Sequence, residues 1–175
     1  GTNAGDSFTG TDAANNTLIG HNAGTAITSG DYNTAVGSQA LDALTTANKT
    51  TAVGYGALGA TTTGYDNTAV GHGSIGVNTT GNNNVAVGAY ALDANTTASN
   101  NTAIGTSALT ANTTGTSNVA VGHSTLDAST TGSYITAVGQ AALGTNTTGS
   151  GSTAVGQAAL RQNTTGANNV AVGIS

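Results

Sequence analysis

The sequence predicts an all-β fold, a parallel β-solenoid (β-roll) of about ten 17-residue coils. Three observations carry this expectation. A glycine preceded by valine or isoleucine stands at positions 20, 37, 54, 71, 88, 105, 122, 139, 156 and 173, every interval being 17 residues. The pieces between these glycines are short, rich in Thr and Val, and bounded by Gly, Asn and Thr-Thr-Gly, which suits strands and turns rather than helix. Proline, cysteine, methionine, tryptophan and glutamate are all absent, so neither disulfides nor a large aromatic core can hold the chain together.

With the recurring glycine as position 1, the unit reads approximately G-x-x-A-L-x-A-N-T-T-G-x-x-N-T-A-V. Position 17 is Val or Ile throughout, and position 15 alternates between Thr and Val, as in Thr68, Val85, Thr102 and Val119. Residues two apart share one face of a strand, so positions 15 and 17 face one way and position 16 the other. Position 5 is Leu or Ile from Leu41 to Leu160. The β-branched residues and the leucines thus form the expected inward set.

Position 16 is alanine from Ala35 to Ala171. Either the interior is too thin for more than a methyl group, or a second surface covers that face. Since valines and leucines already supply an inward set, the expectation is a neighbouring chain packed on the alanines. Glycines at positions 1 and 11 fall where the chain turns, and glycine accepts positive φ without a Cβ penalty. Each coil is therefore expected to hold two short strands and two turns. Stacking at about 4.8 Å per coil makes a rod roughly 50 Å long.

Asn33, Asn67, Asn84, Asn101, Asn118 and Asn169 form a position-14 column whose amides can bond from coil to coil. Each coil buries little hydrocarbon, so no coil is expected to be stable alone, and length or lateral association must supply stability. The chain divides into a divergent first coil, residues 1–19, and regular coils over residues 20–175. Thr2-Asn3-Ala4-Gly5 matches His21-Asn22-Ala23-Gly24, which gives the first coil 19 residues and a bulge or modest cap near Phe8. The last coil ends at Ser175 with no polar cap, so more chain or another subunit is expected beyond it.

Only Lys49 and Arg161 are basic, against seven aspartates, and the formal charge is −5. Nucleic acid and polybasic membrane contacts need clustered cations, so neither is expected as a partner. Apolar runs fall well short of the ~20 residues that span a bilayer, which argues against membrane insertion.

Runs such as Asn67-Thr68-Ala69-Val70-Gly71 and Asn84-Val85-Ala86-Val87-Gly88 resemble the S-V-A-I-G core of trimeric autotransporter adhesin heads. The fuller string N-T-A-V-G-x-x-A-L-x-x-N-T-T-G is similar to repeats of phage tail-fibre proteins, and the likeness covers about residues 15–175. The resemblance implies a left-handed roll assembled as a homotrimer, located on a cell surface, outside the cell or on a virion. Adhesin-head repeats are shorter than the present unit, so the second turn here must be larger.

Chemistry is sparse. Gly54–Gly59 and Gly71–Gly76 match G-x-G-x-x-G, but they sit one repeat apart with no room for the helix that a dinucleotide site requires. His21, His72 and His123 share position 2, three coils apart and too far from each other to hold one metal in a single chain. With Tyr55 and Tyr90 they are candidate surface-recognition residues on an exposed turn. Asp42, Asp93 and Asp127 at position 6 read as turn aspartates. No nucleophile stands beside a His–carboxylate pair, so neither catalysis nor a cofactor is expected.

Thr-Thr pairs at positions 9 and 10 offer a threonine ladder for ice, and also create sequons at Asn78, Asn95, Asn112, Asn146 and Asn163, candidate glycosylation sites. The expected function is structural and non-enzymatic: a segment of an extracellular or virion fibre (adhesin or tail fibre) that supplies a rigid shaft and surface attachment. Its expected partners are itself, as a homotrimer or head-to-tail polymer, and a cell-surface glycan or protein receptor. The alternative is an ice-binding or carbohydrate-binding solenoid using threonine and tyrosine ladders.

Overall fold

The computed structural model describes residues 2–7 and 13–175. Ten strands of three residues each succeed one another: β1 (Thr17–Ile19), β2 (Thr34–Val36), β3 (Thr51–Val53), β4 (Thr68–Val70), β5 (Val85–Val87), β6 (Thr102–Ile104), β7 (Val119–Val121), β8 (Thr136–Val138), β9 (Thr153–Val155) and β10 (Val170–Val172). They form one parallel sheet in sequence order, and each residue pairs with the one 17 places on, as Thr51 with Thr68. This is the parallel solenoid expected from the repeat, and among the described residues there is no helix.

Each coil holds one strand, not two. The strand is tied to both neighbours: the Thr34 N–H donates to the Thr50 carbonyl at 2.8 Å, and the Gly37 N–H to the Ile19 carbonyl at 2.7 Å. After position 1 the chain enters a six-residue turn, then an irregular return to the next strand. Positive φ at positions 3, 5 and 13 prevents a second extended segment. The return is still bonded from coil to coil, for example by the Thr45 N–H to the Thr62 carbonyl at 3.0 Å.

The alanine column is the interior. Every position-16 alanine from Ala35 to Ala154 has no exposed surface. The strand residues on either side are at least partly exposed, Val87 by 38 % and Ile104 by 40 %. The expectation of valine inside and alanine against a neighbour is therefore reversed. A period of two separates the faces of a strand without saying which is inside. Here the coil is so narrow that the inward face of the strand admits only the alanine methyl and the position-14 side chain, with Asn33, Asn67, Asn84, Asn101 and Asn118 fully buried.

The rest of the core comes from the turn. Positions 4 and 5 are consecutive and both buried, as in Ala40-Leu41, Ala57-Leu58 and Ala91-Leu92. Consecutive residues share an inward direction because the leucine is left-handed, with φ 52° at Leu41, 51° at Leu58 and 55° at Leu92. That conformation costs an L-residue roughly 1–2 kcal/mol. Full burial of a leucine is worth about 1.5–3 kcal/mol and offsets it. Position 8 changes character along the rod, from Ile27 and Leu44 to Thr61 and then to buried asparagines.

The two glycine columns differ. Gly71 needs to be glycine twice over: its φ is +134°, and an added Cβ would stand 2.5 Å from the carbonyl oxygen of Gly88 in the next coil. Position-11 glycines such as Gly64 do not adopt positive φ, contrary to the sequence expectation. A Cβ on Gly64 would meet the Gly81 carbonyl oxygen at 2.4 Å, so close stacking is what favours glycine there.

The first coil is 19 residues long in register. The Asn22 N–H donates to the Thr2 carbonyl at 3.0 Å and the Gly5 N–H to the Ala23 carbonyl at 3.1 Å, as in regular coils, and the Tyr32 N–H reaches the Ala14 carbonyl at 3.1 Å. Phe8 lies outside the described residues.

Candidate functional site

With the interior filled, chemistry is confined to columns on the outer surface. Inward parity at positions 14 and 16 turns positions 13, 15 and 17 outward, and position 2 follows immediately after the glycine. The sheet face therefore carries a Thr/Val column and a Val/Ile column, with one exposed ledge on each side.

The ledge at positions 2 and 3 carries the candidate recognition residues. His21, His72 and His123 are exposed, Tyr55 is 54 % exposed and Tyr90 45 %. Three of them come together. Tyr55 and His72 stack with ring centroids 5.3 Å apart and planes 13° from parallel, and His72 meets Tyr90 edge-on at 4.9 Å. His21 and His123 stand three coils to either side and do not join the stack. Because Tyr55 and His72 cover one face of each other, that stack offers less open aromatic surface for a sugar ring than separated tyrosines would.

The ledge at positions 12 and 13 was not singled out from the sequence. It carries Tyr32, Tyr65 and Tyr134, exposed by 59, 48 and 71 %, together with Lys49 and Asp66. Lys49, Tyr65, Asp66 and the neighbouring Thr46 and Thr63 border an open notch of about 340 Å³. A second notch of about 350 Å³ lies at the other corner, between His123, Asp127, Thr145 and Arg161. The buried asparagine column could have pointed to this face: asparagines bonded inside the roll put their own parity inward, and with it positions 13, 15 and 17 outward.

Position-6 aspartates act within the turn. The Thr25 hydroxyl bonds the Asp42 carboxylate of the next coil. Partial burial raises the Asp93 pKa above the ordinary carboxylate range, against smaller opposing effects from the Gly76 N–H and from His72. Partial burial also raises Asp127, opposed by its own and the Ala128 backbone N–H and by Arg161 and His123. Among the described residues no three His, Cys, Asp or Glu side chains converge as a metal site. The two G-x-G-x-x-G stretches lie in six-residue turns with no helix after them.

The sequon asparagines are interior residues. Asn78, Asn95, Asn112 and Asn146 are at most 1 % exposed. Their Nδ2 atoms, where a glycan would be attached, already donate to carbonyls such as Gly81, Ala98, Gly115 and Gly149 at 2.9–3.1 Å. Asn163 is half-buried and donates to Asn146 Oδ1 at 3.1 Å. The folded coil leaves no room for a glycan at the four buried sites.

Asparagines at position 8 form a continuous chain, the Asn95 amide donating to Asn78 Oδ1 at 3.0 Å and the Asn112 amide to Asn95 Oδ1 at 3.2 Å. Ser129 breaks it, being too short to reach back, and both Asn112 Oδ1 and Ser129 Oγ are buried without a partner.

The two threonines of each pair diverge. Position-9 hydroxyls are engaged along the rod, as Thr62 with the Thr79 carbonyl at 3.1 Å and Thr79 with the Thr96 carbonyl at 3.1 Å. Position-10 residues, Ser29 and then Thr46 through Thr165, are exposed in every coil.

Comparison with protein-family models, curated proteins and solved structures finds no match to this chain.

Proposed function

We propose that this chain is a structural, non-enzymatic segment of an extracellular or virion fibre of the adhesin or tail-fibre kind, a rigid shaft whose copies associate laterally as a homotrimer or join end to end. The observation that carries this reading is the outer face of the sheet. Val87, Ile104, Val119 and Val155 are each 36–40 % exposed although none lies in an edge strand of the ten-stranded sheet. An unbroken Val/Ile column of this kind, flanked by a mostly threonine column, suits burial against another copy. The ladders that hold the rod use neutral amides, hydroxyls and backbone groups rather than ion pairs, so the shaft would tolerate wide changes in salt.

Surface attachment would then fall to exposed residues of the turn and return that association leaves uncovered, available to a protein or glycan receptor. Sedimentation velocity combined with negative-stain imaging tests the reading. The expected result is a bundle of two or three parallel rods, or filaments of them, each segment about 45 Å long. A lone monomeric rod at about 100 μM, far above a micromolar dissociation constant, would overturn it.

One observation favours a second reading. The exposed position-10 threonines repeat once per coil, about 4.8 Å apart on a rigid support, and present hydroxyls to solvent. A lattice of that kind suits an ice or crystal surface. Thermal hysteresis in dilute protein is the expected outcome of that reading, and its absence removes it.

A further inference from the structure

The size of the sheet face decides how copies must meet. The two strand columns alone make a strip of about 7 Å by 45 Å, near 300 Å², which is no larger than the apolar patch of many monomers. A specific interface takes roughly 800 Å² from each partner. Extending the strip across both ledges, from position 13 to position 2, widens it to about 20 Å and brings it to about 900 Å². The ledges must therefore take part in any stable contact through this face.

Their residues are complementary at equal heights. Lys49 precedes β3 and Tyr55 follows it. Tyr65 and Asp66 precede β4 and His72 follows it, while Tyr90 follows β5. When two such faces meet with the rods parallel, the left ledge of one lies along the right ledge of the other, rung against rung. Lys49 then stands opposite Tyr55, an ammonium donor against the edge and hydroxyl of a ring whose face is turned along the rod toward His72. Asp66 stands opposite His72, an acceptor against an imidazole donor. Antiparallel rods centred on each other place like ledges together: Lys49 again meets a tyrosine, Tyr134, but His72 is set against His123 and Asp66 faces the neutral Ser117 rather than a histidine.

We propose that the strip from position 13 to position 2 is an interface between parallel, rung-matched copies of this chain, in which the Lys49–Tyr65–Asp66 ledge of one copy lies along the Tyr55–His72–Tyr90 ledge of the next. The inference rests on the fibre reading above and adds its register and its contact residues. Val/Ile and Thr side chains fill the centre, the two ledges form the rim, and the arrangement holds for a two-fold or a three-fold axis along the rod.

The sequence contains no cysteine, so paired cysteines report the register directly. Lys49→Cys and Tyr55→Cys in one chain are six residues apart along one rung, about 20 Å, and cannot join within a copy. Under mild oxidation they should link copies into covalent dimers or trimers. Lys49→Cys with Tyr134→Cys, which pairs antiparallel rods, should not. As a second readout, Asp66→Lys should weaken assembly by about three- to tenfold, and adding His72→Asp should restore it. Efficient linking through the Tyr134 pair, or sedimenting oligomers that link through neither pair, overturns this interface while leaving lateral association standing. Monomers throughout overturn both.

Discussion

Two buried asparagines, Asn84 and Asn95, separate the contribution of the ladder from that of simple burial. Both are fully buried, and both lose a side-chain amide on change to alanine. Asn84 Oδ1 accepts the Asn101 backbone N–H at 3.0 Å, and its Nδ2 donates to the Ala98 carbonyl at 2.9 Å and to Asn67 Oδ1 at 3.2 Å. When Asn84 becomes alanine, the Ala98 carbonyl keeps Asn95, and Asn67 Oδ1 keeps the backbone N–H of residue 84. The Asn101 N–H keeps nothing. A buried donor left without a partner costs about 1–3 kcal/mol, on top of roughly 1 kcal/mol for the shared bonds.

Asn95 bonds Asn78 Oδ1, the Ala98 carbonyl and the Asn112 amide, and each of these retains another partner: the Gly81 N–H, Asn84 and the Gly115 carbonyl respectively. Asn95→Ala should therefore cost about 1 kcal/mol and Asn84→Ala about 2–4 kcal/mol. At about 2–4 °C per kcal/mol for a chain of this size, the midpoints should differ by roughly 2–12 °C. Thermal denaturation followed by circular dichroism, at matched protein concentration because association shifts the midpoint, reads the difference. Equal losses, or a larger loss at Asn95, would refute the orphaned-donor reasoning.

Three more outcomes follow from the same geometry. Ala103→Val adds two carbons to a fully buried site and should cost about 1–3 kcal/mol, whereas Thr102→Val on the outer face should stay within about 0.5 kcal/mol in dilute protein; denaturant titration compares them. Gly71→Ala forces an L-residue to φ +134° against the Gly88 carbonyl, so about 1–3 kcal/mol is lost to backbone strain alone, with the close contact adding to it. Asp93 and Asp127 have folded-state pKa values above the unfolded value, so the folded chain holds their protons more tightly. Their effect on stability is then most favourable below the ordinary carboxylate range and is lost as pH rises through the raised values. Melting temperature measured from pH 3 to 8 should show this decline, and Asp93→Asn should raise the neutral-pH value and flatten the profile.

The repeat made the parallel stacking and the register legible from sequence, because a fixed period of glycines admits few other arrangements. Orientation was not legible. Alternation at Thr-Ala-Val distinguishes two faces, and hydrophobicity then assigns the larger residues inward; the narrow coil defeats that rule by accepting only a methyl from the strand. The leucines were rightly placed in the core, but the left-handed backbone that brings both Ala57 and Leu58 inward has no sequence signal when a non-glycine residue adopts it. At the surface, the histidines of position 2 stood out by recurrence, with Tyr55 in the same column. Lys49, Tyr65 and Asp66 did not, since each occurs once in its column and acquires meaning only from the rung it shares with the opposite ledge.

The inside-out arrangement of the strand and its proposed cover by another copy can be read in one experiment, thiol labelling of Ala103→Cys and Ile104→Cys, made singly in the cysteine-free chain. Residue 103 should resist a maleimide at every protein concentration. Residue 104 should react readily in dilute solution and slow as concentration rises and copies assemble. A thiol at 103 that reacts as fast as one at 104, with labelling at 104 indifferent to concentration, would contradict both the thin alanine-lined interior and the shared valine face.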